Sequence, residues 1–174
     1  IDIELAVSYV DLKRGGVDVA VRTGPLEESG ELYAVPLGQS VKGLYASRAY
    51  LQQHGTPETP DALARHACIV VGSGRSAVWS FKVRSHETHL AVSGPLRVDS
   101  YRLARSAAAE GVGIARLPTS FAKAMVASRE LVPLLEETWQ RATLYAVHAA
   151  GRPAPPKIRA FIELLKEVMK KHLA

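Results

Sequence analysis

The apolar and polar positions of residues 92–118 predict a strand, a helix and a second strand in quick succession. Residues 92–98 are mostly apolar and are interrupted by a Gly-Pro turn. Small and apolar side chains then recur at helical spacing, at Leu103, Ala104, Ala107 and Ala108. Residues 112–117 are a second apolar run. This βαβ order implies a parallel sheet, and such sheets bind ligands beyond the carboxyl ends of their strands.

Further short apolar runs bounded by turn residues predict more strands. They are residues 3–8, 17–21, 32–37, 43–47, 67–71 and 142–149. A short helical turn at residues 10–14 would make the first two runs a second βαβ unit. Trp79 and Phe81 alternate with polar residues and predict a half-buried strand, which a polar turn at residues 84–89 would follow.

Helical spacing predicts four more helices, at residues 48–54, 61–65, 119–126 and 157–173. The last one has a single apolar stripe, formed by Ile158, Phe161, Ile162, Leu165, Val168, Met169 and Leu173. This stripe needs a sheet to cover, and the strands near the start of the chain are its predicted partners. Both chain ends would then share one α/β lobe. We predict that residues 1–40 with 131–174 form lobe 1 and residues 41–130 form lobe 2, with a cleft between them for a small molecule.

Composition fits a folded protein without a membrane span. Of the 174 residues, 47% are hydrophobic and 22% are charged, and no apolar run reaches membrane-spanning length. The net charge is +5, but basic residues are mixed with acids, so we expect no direct nucleic-acid binding by this chain. The single cysteine, Cys68, rules out an internal disulfide, lies in an apolar run and favours a reducing compartment. Because the chain opens on Ile1 inside a predicted strand, we interpret it as an N-terminally truncated fragment.

Patterns typical of catalysis, metal binding or cofactor binding are missing from the sequence. No glycine-rich phosphate loop and no G-x-S-x-G nucleophile motif occurs. His86 and His89 are close in sequence but lack further ligands at zinc spacing. Glu136 and Glu137 are adjacent, so their side chains point apart. We therefore predict no enzyme, no metal and no cofactor.

Polar or turn-forming residues follow several predicted strands. They are Arg22, Thr23 and Gly24 after the strand at 17–21, Gly72 and Ser73 after that at 67–71, Asp99 and Ser100 before the helix, and Pro118. A helix N-terminus favours a small anion. Each group also has a purely structural interpretation. Asp99 and Ser100 would cap a helix, Thr23 would satisfy a turn, Gly72 and Ser73 would be plain loop, Arg22 would pair with a surface acid, and Pro118 would end a strand.

The chain resembles LysR-type transcriptional regulators in several segments, which occur in the order and spacing of that family. They are GVDVAVRTGPL (16–26), LYASRAYLQQHGTPETPDALARHACIV (44–70), the Trp79-x-Phe81 pair, AAAEGVGIARLP (107–118), ELVPLL (130–135) and KIRAFIELL (157–165). The resemblance implies the C-terminal effector-binding domain, with a two-lobed α/β fold like that of type 2 periplasmic binding proteins. Such a fold has two hinge crossings and a ligand cleft.

The same resemblance implies a cytoplasmic sensor. Its partners would be a small-molecule effector, with carboxylates and other anions as candidates, and further copies of itself in a homodimer or homotetramer. DNA would be bound only through an N-terminal winged helix-turn-helix that nothing in this chain matches, and no membrane would be involved. The first strand and helix of lobe 1 would be missing. The implied effector contacts are Arg22, Thr23, Gly24, Gly72, Ser73, Asp99, Ser100 and Pro118.

Two alternatives share this fold class. One is an extracytoplasmic solute-binding protein of a transporter, and the other is an enzyme with a catalytic constellation on the same lobes. The N-terminal region of the parent protein would separate the first from a regulator, because it would hold a signal peptide in place of a helix-turn-helix.

Overall fold

The computed structural model describes residues 1–4, 11–12, 16–24, 32–72, 76–83 and 86–172. The described strands are β1 (Ala20–Thr23), β2 (Tyr33–Ala46), β3 (Cys68–Val71), β4 (Ser76–Val83), β5 (His86–Ser93), β6 (Arg97–Val98), β7 (Ile114–Pro118), β8 (Val132–Leu134) and β9 (Gln140–His148). The helices are α1 (Arg48–His54), α2 (Tyr101–Ala109), α3 (Thr119–Ala127) and α4 (Pro156–His172), with short 3₁₀ helices at Pro60–Arg65 and Glu136–Thr138. The chain divides into two compact units, Ile1–Ser40 with Arg141–Ala174, and Val41–Gln140. It crosses between them twice, within β2 and at the start of β9.

The first unit packs α4 on a small antiparallel sheet. Strand β9 lies between β1 and β2, with Ala20 opposite Val147 in the β1–β9 register. Ile158 and Ile162 of α4 are buried against the β2 and β9 side chains Leu37 and Ala146. Four residues of the predicted stripe, Ile158, Ile162, Leu165 and Met169, therefore belong to the core that α4 forms with the sheet. Phe161 is half-buried outside that core, Val168 is exposed, and Leu173 lies outside the described residues.

Strand β1 is shorter and later than the sequence predicts. It begins at Ala20 instead of residue 17, and its first pair in the β1–β9 register is Ala20 with Val147. Residues 1–4 belong to no regular element, and residues 5–10 lie outside those described. The first strand of the predicted N-terminal βαβ unit therefore stays a prediction.

The second unit confirms the predicted βαβ order, although the first strand, predicted at 92–98, was wrong in extent: residues 92 and 93 end β5, where they pair with β4, and of that segment only β6 is parallel to β3. Strands β6 and β7 are both parallel to β3, which lies between them, and α2 connects them. Ala104 and Ala108 of α2 are fully buried, and Gly111 ends the helix with φ +81. The prediction for Leu103 was wrong: it is 53% exposed, because the buried face of α2 runs through Ala104 and Ala108.

The central strands of the second unit supply side chains to a core on each side of the sheet. Leu44 and Ala46 join the core beneath the β4–β5 hairpin and α1, whereas Tyr45 between them joins the core beneath α2 and α3. Cys68 and Ile69 divide in the same way, because consecutive side chains of a strand point to opposite faces. The sheet is therefore covered on both faces, as its near-continuous apolar strands suggest.

Two predicted turns are strand in the structure. The two strands expected at 32–37 and 43–47 are one strand, β2, because the intervening polar residues have partners: Gln39 donates to Thr143 Oγ1 at 2.9 Å, and Ser40 is buried. The polar turn expected at 84–89 was also wrong. His86 and His89 lie on β5, which pairs antiparallel with β4, and His89 Nδ1 lies 2.9 Å from Ser80 Oγ across that pair.

Residues 131–140 belong to the second unit, whereas the sequence analysis groups them with lobe 1. The reason is local pairing, because β8 is hydrogen-bonded to Leu44–Ala46 at the end of β2. Trp139 adds to this attachment, since its ring packs against Tyr45 with 5.4 Å between centroids and its Nε1 donates to the Leu134 carbonyl at 2.9 Å.

Candidate functional site

The carboxyl ends of three parallel strands meet at one edge of the second unit, which we call the strand-end site. Strand β3 ends before Gly72, β6 ends before Asp99 and Ser100, and β7 ends at Pro118. Because these strands are parallel, their carboxyl ends lie at the same edge. The structure thus brings together four of the predicted site residues. Ser73 lies outside the described residues.

Gly72 has a defined backbone position at this edge. Its N–H donates to the Val98 carbonyl at 2.9 Å, and its own carbonyl accepts from Arg97 Nη1 at 2.8 Å. Its φ of +134 lies in the region that favours glycine. Both backbone hydrogen-bonding groups of Gly72 therefore have partners, which fix its position at this edge.

The N-terminus of α2 opens onto the same edge without a side-chain cap. Ser100 occupies the N-cap position with an extended backbone, but its hydroxyl makes no hydrogen bond to the first turn. Ser47 shows the contrast at α1, where its Oγ accepts from Tyr50 N at 3.2 Å. The first N–H groups of α2 therefore remain open to another acceptor, which gives this terminus the character of an anion site.

Pro118 joins β7 to α3 at this edge. It is the last residue of the strand and the N-cap of the helix, and it lies directly opposite Lys42 of β2. Pro118 is half-buried. Its position at the N-terminus of α3 suits a ligand contact as well as its role in ending the strand.

Three further residues at the strand-end site were missed by the sequence analysis. Lys42 Nζ lies 5.7 Å from the centroid of the Tyr101 ring, which itself packs against Phe121 at 5.8 Å between centroids. All three are half-buried. A lone lysine in a strand pattern normally indicates a solvated position, so only the strand register reveals that Lys42 faces the start of α2.

The predicted site residues of the first unit lie at the end of β1. Arg22 pairs with Tyr145 and Thr23 with Leu144 in the β1–β9 ladder, and all of the three predicted residues are half-buried. Gly24 extends the pairing, because its N–H donates to the Thr143 carbonyl at 3.3 Å. The polar residues after this strand therefore form a backbone-anchored end rather than a free turn.

Other chemistry is limited among the described residues. Cys68 is fully buried, and burial raises the pKa of its thiol to about 12, which confirms its interpretation as a small core residue. In the described ranges no three His, Cys, Asp or Glu side chains come together to hold a metal ion. None of the described helices combines the length and the apolar character that crossing a membrane requires.

A surface depression lies elsewhere in the second unit. It measures about 330 Å³ and is lined by Arg48, Leu51, Gln52, Thr56 and Val132. These residues follow the carboxyl end of β2, which runs antiparallel to β7, so the depression opens at the sheet edge opposite the strand-end site. It is shallow and open, and the convergent strand ends are the better candidate for a ligand.

Comparison with known proteins identifies the family. The family described as LysR substrate binding domain matches residues 1–170. This chain belongs to it. The domain is 30% identical over 166 residues to the probable HTH-type transcriptional regulator LtrA of Klebsiella pneumoniae, covering 92% of this chain and 53% of LtrA. It is also 30% identical over 168 residues to CrgA of Neisseria meningitidis serogroup C, covering 95% of this chain and 56% of CrgA. The chain thus spans about half the length of these regulators.

Solved structures agree with this assignment. The regulatory domain of CrgA from Neisseria meningitidis superposes with a TM-score of 0.76 at 28% identity, covering 92% of this chain and 79% of that structure. The regulatory domain of AphB in Vibrio vulnificus gives a TM-score of 0.70 at 24% identity, covering 91% and 78%, and supports the fold alone. This LysR domain therefore has the periplasmic-binding-protein-like α/β fold that the resemblance implied. The family also favours a transcriptional regulator over the solute-binding alternative.

Proposed function

We propose that this LysR domain is the effector-sensing part of a transcriptional regulator and that it binds a small metabolite at the strand-end site. The supporting observation is the open N-terminus of α2, where Ser100 leaves the first-turn N–H groups uncapped at an edge where parallel strands end. Carboxylates and other small anions are the effector class that suits such a terminus. The domain acts by binding and catalyses no reaction.

The proposed contacts follow the sequence analysis and divide between the units. In the second unit the proposed contacts are Asp99, Ser100, Pro118, Gly72 and Ser73, and in the first unit they are Arg22, Thr23 and Gly24. Asp99 carries a negative charge, so we propose that it orients a neighbouring donor while the anion binds closer to α2. An effector changes the regulator only if it binds one conformation more tightly than the other.

The remaining parts of the proposal concern the parent protein. We propose that it is a cytoplasmic regulator, that it binds DNA through a region outside this chain, and that this domain assembles as a homodimer or homotetramer. The relatives named above support this, since both are HTH-type transcriptional regulators roughly twice as long as the aligned region. Sedimentation velocity at micromolar concentrations measures the assembly directly, and a monomer throughout would contradict that part.

A ligand screen tests the binding proposal. The melting temperature of this chain is measured with small carboxylates, aromatic acids, amino acids and inorganic anions, each at fixed ionic strength. A ligand present at ten times its Kd adds about 1.4 kcal/mol to the free energy of unfolding, which raises the melting temperature by roughly 3–6 °C in a chain of this size.

Matched serine variants locate the site. We expect Ser100→Ala to remove the shift of a hit and Ser106→Ala to leave it unchanged, because Ser106 is exposed in the middle of α2 and its hydroxyl bonds only to the Arg102 carbonyl. Thr23→Ala tests the first unit in the same way. A hit that none of the site variants affects would place the ligand elsewhere and contradict the proposal.

A further inference from the structure

Two cationic side chains lie on the same face of the second-unit sheet, next to the strand-end site. In the β2–β7 register Lys42 is opposite Pro118, and Leu44 is opposite Arg116. Opposite residues of an antiparallel pair point to the same face, as do alternate residues of one strand, so Lys42 and Arg116 share a face. As diagonal cross-strand neighbours they have Cα atoms roughly 7–8 Å apart. The ends of two long side chains can reach one anion across that spacing.

Arg116 is held by neutral partners only. Its Nη2 donates to the Ser80 carbonyl at 3.0 Å and to Gln140 Oε1 at 3.3 Å, and the guanidinium lies 5.5 Å above the Phe81 ring. No carboxylate lies within ion-pair distance of it in the described part of the chain. Burial lowers the pKa of Arg116 and the charge of Tyr101 raises it, but a guanidinium stays protonated at neutral pH.

Lys42 has a similar environment. Its Nζ lies over the Tyr101 ring, and none of the carboxylates among the residues described here pairs with it. Two other lysines of the chain do pair with acids: Lys157 Nζ lies 2.9 Å from Asp18 Oδ1, and Lys166 Nζ lies 2.8 Å from Glu163 Oε1. Lys42 and Arg116 are thus two half-buried cations near the strand-end site without an acidic partner among the described residues, and burying a charge without one is unfavourable.

We propose that Lys42 and Arg116 recognise the negative charge of the effector, so that the site selects a ligand with a carboxylate or an oxyanion of similar size. This inference rests on the proposed function and names the ligand class and two residues that determine it. Arg116 supplies a positive charge that is held in place by its bonds to Ser80 and Gln140, and Lys42 adds a second positive charge from the neighbouring strand. The ligand's acid group supplies the counter-ion that the chain itself does not.

The test compares a charged probe with its neutral isostere. Sodium benzoate and benzamide are titrated from 0.1 to 50 mM into the whole chain at constant ionic strength, and Kd values are obtained from the shift in melting temperature; acetate and sulfate serve as non-aromatic anions. We expect an anion to stabilise the wild type and benzamide to have no effect. Arg116→Gln and Lys42→Gln are each expected to weaken anion binding at least about tenfold, the loss typical of one charge-assisted hydrogen bond.

The controls separate this role from general electrostatics and from folding. Arg102→Gln and Lys123→Gln remove exposed cations from α2 and α3, and both variants are expected to bind the anion like the wild type. Arg116→Lys retains the charge but loses the guanidinium that Ser80 and Gln140 hold in place, and it is expected to fall between the wild type and Arg116→Gln. If Arg116→Gln does not fold, Lys42→Gln and Arg116→Lys still decide the question.

Three results would overturn the inference. They are a wild type that no anion stabilises at 50 mM, equal stabilisation by benzoate and benzamide, and equal loss in the control variants. The proposed function is contradicted by a different result, because it requires only that some ligand stabilises the wild type and loses this effect in Ser100→Ala. The distinguishing case is a neutral ligand that stabilises the wild type, loses this effect in Ser100→Ala and keeps it in Arg116→Gln and Lys42→Gln. That result would support the sensor function and contradict the proposed role of Lys42 and Arg116.

Discussion

The ring of Trp139 covers the backbone of Gly43 so closely that a Cβ at Gly43 would lie 2.6 Å from two of its ring carbons. Trp139 has little freedom to withdraw, because its Nε1 donates to the Leu134 carbonyl at 2.9 Å. The pair fixes the 3₁₀ segment before β9 against β2.

Gly43→Ala is therefore expected to destabilise the domain, by about 1–3 kcal/mol if the cost is that of overpacking a core. Urea unfolding monitored by circular dichroism gives the value. A double-mutant cycle with Trp139→Leu checks the cause, since the smaller side chain leaves room for the new methyl group and should remove most of the effect of the alanine. Additive losses in the cycle would show that the clash with Trp139 is not responsible.

The two helix caps of the second unit should respond differently to alanine. Ser47→Ala removes the acceptor for Tyr50 N from a buried cap and is expected to lower the free energy of unfolding by about 1 kcal/mol. Ser100→Ala removes no cap bond, so its stability without ligand should stay within about 0.5 kcal/mol of the wild type. The same urea titration measures both. A large loss in Ser100→Ala alone would mean that this serine is a structural cap.

Tyr50 connects α1 to the segment before β3 through its hydroxyl. The oxygen accepts from Ala67 N at 2.9 Å and lies 3.2 Å from His66 Nδ1. Tyr50→Phe leaves the Ala67 N–H without this partner and is expected to destabilise the domain by about 1–3 kcal/mol. Tyr33→Phe is the matched control, since the contacts of Tyr33 are made by its ring, which stacks on His148 and lies under Arg152. Equal losses in the two variants would contradict the assigned role of the Tyr50 hydroxyl.

His148 gives stability a dependence on pH. Its side chain is buried, Nδ1 has no hydrogen-bond partner among the described residues, and burial, followed by the charge of Arg152, lowers its pKa from 6.5. Below pH 6.5 the unfolded chain therefore binds a proton that the folded chain resists. Stability should fall as the pH drops from about 6.5 toward the lowered pKa, and this contribution should be fully present above that window.

Urea titrations between pH 5 and pH 8 test this dependence. The pKa of His66 is also lowered, mainly by burial, and it contributes in the same direction, so the comparison is between variants. His148→Phe keeps an aromatic ring against Tyr33 and should flatten the profile, while Arg152→Gln should flatten it less. A profile that His148→Phe does not change would exclude His148 as a source of the slope.

Local sequence patterns predicted the elements whose signals are local. The β6–α2–β7 unit could be predicted from residues 92–118 because Ala104 and Ala108, the N-cap position of Ser100 and the stop at Gly111 indicate the same helix, although Leu103 does not. Strand β2 could not, because Gly38, Gln39 and Ser40 have turn-forming composition. Only the contact of Gln39 with Thr143, more than a hundred residues away in the chain, shows that they are extended.

The residues of the candidate site differ in the same way, since some have a local sequence signal and others depend on long-range contacts. Gly72, Asp99, Ser100 and Pro118 were predictable, since each adjoins a recognisable strand end. Lys42 and Arg116 were not, because a single charged residue in a strand normally indicates a solvent-facing position. What marks them is the register that sets them diagonally across β2 and β7, together with neighbours such as Tyr101 and Gln140 from other parts of the chain.

The central strands of the second unit supply side chains to a core on each side, and this restricts the substitutions that they tolerate. Along a strand with one solvent-exposed face, every second position accepts polar substitutions. No side chain points to solvent along Leu44–Ala46 of β2, at Cys68–Ile69 or at Ile114–Ala115, since each residue belongs to one core or the other. In a saturation mutagenesis library the tolerance profile of these segments would be uniformly low rather than alternating, and new specificities would have to arise at the strand ends.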